Sequence, residues 1–437
     1  MAIAAHGHLI SPAIHAPQLN LAGERVRGAL LWLTGFSGAF VFVEPGPYEI
    51  CSLLTIVLFA ITGLTLRPAL MPLIGMLTLY ALGFALAVIQ VSDKTQAVTW
   101  VLVSWYLCLT AVFYAAMLGT NTRARLDLLT HGCLMAAAVT SLIAILAYFH
   151  AFGSYSDLFL RYERARGTFN DPNVLGAFLI FPALLALQRV LRGRLAAAIG
   201  GSLLLGLIGA ALLLSFSRGA WGQFAFTAAL LMLLTFITSR SGNERLRIVL
   251  IALAGVVVLV LFVVALLSID RIAELFKARA MLEQSYDVGR LGRFGRYSLG
   301  AGLALESPLG IGPMQFATKF IEDPHNTYLN AFMAGGWLSG CIYVVLTVTT
   351  IVMGLRFAFV ATPWRAIYLA VYAAYVGVAL ESAIIDTDHW RHYFLLLGLL
   401  WGLMVVSRPY ARLTRGSAAP AIPRGPPAGL APARRAA

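Results

Sequence analysis

The chain has 437 residues, 60% of them hydrophobic and 12% charged, with a mean hydropathy of +0.82 and a formal net charge of +13. That is more apolar surface than a water-soluble protein of this length can bury, so a soluble fold is excluded and an all-α integral membrane protein is expected. Cys51, Cys108, Cys133 and Cys341 lie in or beside apolar runs without a CxxC pair, so they imply neither a disulfide framework nor a metal site.

Residues 1–28 carry histidines and prolines and then Glu24-Arg25-Val26-Arg27, with no small-residue cleavage site after the first apolar run. They are expected to form a short cytoplasmic tail. Apolar runs follow near 29–43, 48–66, 69–91, 98–119, 128–151, 173–188, 195–216, 219–238, 248–269, 326–355, 366–385 and 393–407. Each can cross about 30 Å of hydrocarbon as a helix, so a membrane domain of about twelve spans is predicted over 29–407. The first is the weakest, since Thr34, Gly35, Ser37 and Gly38 interrupt it. Residues 408–437 are rich in Pro, Ala and Arg and are expected to be a disordered basic cytoplasmic tail.

Arginines mark one set of alternate short loops: Arg67, Arg123 with Arg125, Arg189 with Arg192 and Arg194, Arg240 with Arg245 and Arg247, and Arg356 with Arg365. By the positive-inside rule that side is the cytoplasm, and both termini belong to it. Two longer segments on the other side are also basic, 152–172 and the large loop 270–324, in which short helices are expected. Long loops translocate despite positive charge, so these are either solvated, headgroup-facing surfaces or an anion site on the outer face.

Three outer stretches set a basic group beside a helix start. In Arg166-Gly167-Thr168-Phe169-Asn170-Asp171-Pro172-Asn173, Asp171 is a good N-cap and Pro172 suits the first helical position. Ser215-Phe216-Ser217-Arg218-Gly219-Ala220-Trp221 reads as a tight turn that leaves Arg218 at membrane depth, either in a structural ion pair or binding a diphosphate bidentately. The large loop carries Arg290, Arg293 and Arg296, then Pro308-Leu309-Gly310-Ile311-Gly312-Pro313, whose glycines read as turn and close-packing residues. Asp323-Pro324 repeats the cap signal, which would put His325 in a first helical turn where the dipole favours a neutral imidazole, structural or catalytic. Asp386, Asp388 and His389 form a weak metal signal.

The segments RGTFNDPNVLGAFL, SFSRGAW, PLGIGPMQF and DPHNTYLNAFMAGGW resemble the bacterial O-antigen ligase and polymerase family over roughly residues 160–345. The resemblance implies a membrane glycosyltransferase that moves a glycan from undecaprenyl diphosphate to an acceptor sugar hydroxyl, on lipid A-core or a growing polysaccharide, at the periplasmic face of the inner membrane. It carries a catalytic role to His325 and a diphosphate-binding role to Arg218 and to one loop arginine, with Arg293 preferred over Arg290 and Arg296. Arg166 is taken as a further anion ligand, with Asn326, Asp171 and Asn173 in support. Inversion at the anomeric centre, no cofactor, no metal and no nucleic-acid partner are expected. The rival reading is a transporter or flippase for a polyprenyl-linked glycan or anionic lipid; against it, the chain shows no evident repeat of spans and no paired broken helices.

Overall fold

The computed structural model describes residues 21–42, 45–270, 273–274, 276–277, 292–320 and 322–416. The described chain is almost wholly helical. Its helices are α1 Leu21–Ser37, α2 Pro47–Ile61, α3 Met71–Ala87, α4 Lys94–Met117, α5 Thr122–Tyr148, α6 Pro172–Arg192, α7 Leu195–Leu214, α8 Arg218–Thr238 and α9 Gly242–Leu267. After the large loop come α10 Arg293–Glu306, α11 Gln315–Phe320, α12 Thr327–Met333, α13 Gly336–Ala358, α14 Arg365–Glu381 and α15 Arg391–Gly416. Each apolar run of the sequence contains helix, and among the described residues nine helical stretches are long and apolar enough to cross a membrane, one of them being α3 together with the 3-10 turns on either side of it, Pro68–Gln90. The protein is therefore an all-α, multi-pass membrane protein. α2, 15 residues long, α1 and α14, each of 17, are shorter than that set.

Without a hydrophobic driving force between helices in lipid, association depends on close backbone approach. Small residues supply it. A Cβ on Gly132 of α5 would stand 2.3 Å from the carbonyl oxygen of Trp32 in α1, and one on Gly398 of α15 would stand 2.3 Å from that of Ala111 in α4. Gly83 of α3 meets Ser339 of α13 in the same way, and the Ser339 hydroxyl donates to the Tyr80 carbonyl at 2.7 Å. α6, α14 and α15 form the centre, whereas α9 buries only Ile248 and turns its long apolar surface outward, as a lipid-facing helix does.

Between α5 and α6 lie a 3-10 helix, Gly153–Phe159, and a two-residue hairpin, β1 Leu160–Arg161 and β2 Arg164–Ala165, paired antiparallel. Its turn residues Tyr162 and Glu163 both have positive φ, as a tight hairpin requires. Asp171 caps α6 by accepting from the Asn173 amide at 2.8 Å, with Pro172 at the first helical position, as the sequence predicts.

The run 326–355 departs from expectation by breaking at Ala334-Gly335 into α12 and α13. The loop Pro308–Gly312 fills the break: the Ile311 amide donates to the Met333 carbonyl at 2.8 Å, the Gly312 amide to Ala334 at 3.1 Å and the Trp337 amide to Pro308 at 2.9 Å. Gly310, at φ 82°, and Gly336, at φ 74°, face each other so closely that a Cβ on Gly310 would lie 2.5 Å from the Gly336 nitrogen. The Gln90 side chain donates to the Gly310 carbonyl at 2.7 Å. Backbone groups released by the break are thus paired within the protein, as a non-helical segment at membrane depth must be. Replacing Gly310 by Ala is expected to destabilise the protein by about 1–3 kcal/mol, from the left-handed conformation and the clash together. Thermal unfolding of purified variants checks this, with Gly75→Ala, whose Cβ would meet nothing within 4 Å, as the control.

Candidate functional site

Several junctions between helices meet at one end of the bundle. The turn into α8 has Phe216 in the left-handed region and Ser217 as N-cap, its hydroxyl accepting from the Ala220 amide at 3.4 Å. Arg218, half-buried, is therefore the first residue of α8. Arg164, buried, ties this turn to the start of α6: its Nε donates to the Ser215 carbonyl at 2.7 Å and its terminal nitrogen to Asn173 Oδ1 at 2.8 Å. On its other side the turn touches the end of α14, where a Cβ on Gly219 would stand 3.3 Å from Glu381 Oε1. Glu381 is buried and its Oε2 has no hydrogen-bond partner among the described residues.

The loop that follows α14 carries the site onward to α12. The Thr327 amide donates to the Ser382 carbonyl at 2.8 Å, and the Thr327 hydroxyl takes the Thr387 amide at 2.8 Å. This clamp brings the acids of one loop to the histidine of the other. His325 Nδ1 lies 2.8 Å from Asp386 Oδ2, and His325 Nε2 lies 3.1 Å from Glu322 Oε1. Glu322 is in turn gripped by buried Arg296, whose NH1 donates to Glu322 Oε2 at 2.6 Å and to the Asp323 carbonyl at 3.0 Å. The Tyr297 hydroxyl donates to the His325 and Ala383 carbonyls, both at 3.3 Å. Nearby, Asn330 donates to buried Asp388 Oδ2 at 2.7 Å.

Two expectations fail here. Asp323-Pro324 does not start a helix: Asn326 is the N-cap of α12, accepting from the Leu329 amide at 3.0 Å, and His325 precedes it with φ 52°. Nor is the imidazole pKa lowered. The hydrogen bond to Asp386 raises it above the usual histidine value, against a smaller opposing effect of burial, and Glu322 adds to the rise. With carboxylates at both ring nitrogens, the protonated form gains more than a helix terminus of two turns can remove. Burial works to raise the Glu322 carboxyl, but hydrogen bonds from His325 and Arg296 outweigh it and hold that carboxyl below its ordinary range. Burial pushes Asp323 and Asp388 up and His389 down, to about 4.

The other predicted residues separate. Arg166 donates to the Leu158 carbonyl at 3.0 Å and the Asn170 carbonyl at 3.4 Å, which holds the hairpin segment. Asp171, Asn173 and Asn326 cap helices or orient Arg164. Arg293 opens α10, and Arg290 lies outside the described residues. The sequence reading missed Glu322 and Glu381 and noticed Asp386 only as part of a metal signal. No group of three or more His, Cys, Asp or Glu among the described residues could hold a metal ion. The visible clue was the pair of acids, Asp386 and Asp388, in the short loop before the last apolar run.

The geometry makes a testable statement about the imidazole. Because the Asp386 hydrogen bond is the largest cause of the raised pKa, Asp386→Asn is expected to move His325 titration to lower pH. Diethylpyrocarbonate modification of His325, followed by peptide mass spectrometry across pH, measures it; an unshifted curve would remove Asp386 as the cause. By linkage, the bonded imidazolium stabilises the fold fully below about pH 6.5, and this contribution is lost as pH rises through the raised value.

Residues 202–344 match the family model described as O-antigen ligase. No curated protein matches the chain. The matched segment spans the Arg218 turn, the large loop with Arg296 and Glu322, and His325 with its N-cap Asn326. The resemblance read from the motifs therefore has support over this segment, residues 202–344 being similar to the O-antigen ligase family.

Proposed function

We propose that the protein transfers a glycan from undecaprenyl diphosphate to the hydroxyl of an acceptor sugar on the periplasmic side of the inner membrane, with His325 as general base. The observation that carries this reading is the imidazole held by Asp386 through one nitrogen while its other faces the solvent-exposed carboxylate of Glu322. Asp386 orients Nδ1–H, which leaves Nε2 to accept a proton. In the resting protein Nε2–H is bonded to the Glu322 carboxylate; the base form arises when that proton is lost to solvent, and an acceptor hydroxyl then takes the place of Glu322 at Nε2. The acceptor oxygen then bonds to the anomeric carbon as the bond from that carbon to the diphosphate oxygen breaks, and the proton passes to Nε2. The diphosphate departs with both bonding electrons. Arg218, and Arg293 or Arg290 from the large loop, would stabilise the charge that builds on it. Attack opposite the leaving group inverts the anomeric centre and needs neither a covalent intermediate nor a divalent metal. Arg296 supports the base by anchoring Glu322. Both termini lie in the cytoplasm on this reading. A membrane-impermeant thiol reagent applied from the periplasm should label a cysteine at Ser307 and spare one at Ser241, and the reverse would invert the topology.

His325→Ala is expected to bind the lipid-linked donor as the wild type does while turnover falls by about a hundredfold to ten-thousandfold. The assay is run in EDTA on one preparation, so loss of wild-type activity there, restored by metal, would refute the metal-free step. Since the base works deprotonated and its pKa is raised, the wild-type rate should climb through a range above about pH 6.5 and then level off. Wild-type donor binding without any transfer would favour the carrier reading.

Arg218→Lys is expected to lose roughly a hundredfold in rate, because a point charge cannot reproduce the planar fork on a diphosphate. Turnover and donor affinity near wild type in that variant would reduce Arg218 to a structural part of the α8 turn.

A further inference from the structure

A cavity of about 440 Å³ opens at the other end of the bundle, between the starts of α1 and α5. α5 is 27 residues long, so this cavity is about 40 Å from the hairpin at the far end of that helix. Arg25, Arg27 and Arg125 line it with a single acid, Glu24, which leaves two positive charges in excess. Two of these guanidiniums are held in place. Arg27 and Arg125 lie 4.8 and 4.9 Å from the centre of the Phe59 ring. Arg27 donates to Glu24 Oε1 at 2.9 Å and to the Thr62 hydroxyl at 2.8 Å, and Arg125 donates to the Met117 carbonyl at 2.7 Å.

Arg125 is only 6% exposed, and its Nε has no hydrogen-bond partner among the described residues. A buried, charged donor left without an acceptor costs more than one that is paired. The same cavity is lined by Asn121 and Ala124 in the first turn of α5. Asn121, with φ 49°, makes no side-chain cap hydrogen bond, so the α5 amides are not closed off by their own N-cap. An uncapped helix start and two excess positive charges at one cavity, with a buried guanidinium nitrogen left unpaired beside it, favour an anion there. Its wall is also apolar, with Leu128 38% exposed.

We infer that this cavity binds a phosphate ester, the headgroup of an anionic phospholipid whose chains lie along Leu128. Arg27 and Arg125, whose donors are largely committed within the protein, would supply fixed positive charge behind the phosphate, and exposed Arg25 would bind its oxygens. On the proposed orientation the site faces the cytoplasmic leaflet, but the inference rests on the cavity and not on the glycosyl transfer.

The test uses the full chain in nanodiscs of phosphatidylcholine with and without phosphatidylglycerol, and in detergent with and without inorganic phosphate. Thermal unfolding and native mass spectrometry are read for wild type, Arg25→Gln and Arg125→Gln. Arg25 is exposed and makes no hydrogen bond or ion pair among the described residues, so Arg25→Gln is expected to unfold as the wild type does in the absence of anion. Phosphatidylglycerol is expected to raise the wild-type Tm by about 3 °C or more and to leave one lipid bound, with at least half of that shift lost in Arg25→Gln. An arginine-dependent shift with inorganic phosphate alone would keep the phosphate site and assign it a soluble source. Equal responses of wild type and both variants, or no response to either anion, would overturn the inference.

Discussion

Lipid offers no hydrogen bonds to an irregular backbone, and this constraint shapes the whole molecule. Helices can face it freely, as α9 does with only Ile248 buried, but every break must be closed from inside the protein. The break between α12 and α13 is closed by Pro308–Gly312, whose amides and carbonyls take up the groups the helix releases. Because Gly310 and Gly336 meet with no room for a Cβ, the large loop is bound to the membrane domain at a set register. That register fixes where α12 ends; its start, beside His325, is set by the bonds of Thr327 to Ser382 and Thr387. The candidate base thus stands beside a short helix pinned at both ends.

Electrostatics then divides the work among the charged groups. Arg164 holds the segment before α6 against the α8 turn through the Ser215 carbonyl, and Arg166 is committed to the Leu158 and Asn170 carbonyls within that segment. Arg296 is committed to Glu322, which in turn meets the imidazole. A chain of guanidinium, carboxylate, imidazole and carboxylate runs from Arg296 through Glu322 and His325 to Asp386. Such a network raises the imidazole pKa while the Glu322 end stays largely exposed, with 59% of its side chain open to solvent. An oriented histidine whose second nitrogen is covered by a displaceable side chain is suited to admit a hydroxyl.

The opposite end of the bundle shows a different use of the same residue type. There Arg27 and Arg125 flank Phe59 and share Glu24. Planar cations of this kind stack on a ring and still present donors at their edges, which a lysine in either position could not do. The two basic ends are therefore built differently: one around an imidazole and acids, the other around arginines in excess over a single acid.

Much was legible in the amino-acid sequence because hydropathy and local capping act over a few residues. The helical apolar runs, the Asp171-Pro172 start of α6, the turn that opens α8 with Arg218 and the close-packing role of the PLGIGP glycines all follow from such local rules. Where two local signals competed, tertiary contacts chose between them: Asp323-Pro324 and Asn326 could each start a helix, and the bonds of Thr327 to Ser382 and Thr387 settle it on Asn326. The partners of His325 were beyond any local rule, since Asp386 is 61 residues away and its loop is brought across by packing of α12 against the end of α14. A helix dipole read from sequence predicted a lowered imidazole pKa, whereas a carboxylate 2.8 Å away raises it. Charge interactions fall off with distance in space and take no account of distance along the chain, so only the folded arrangement could decide the sign.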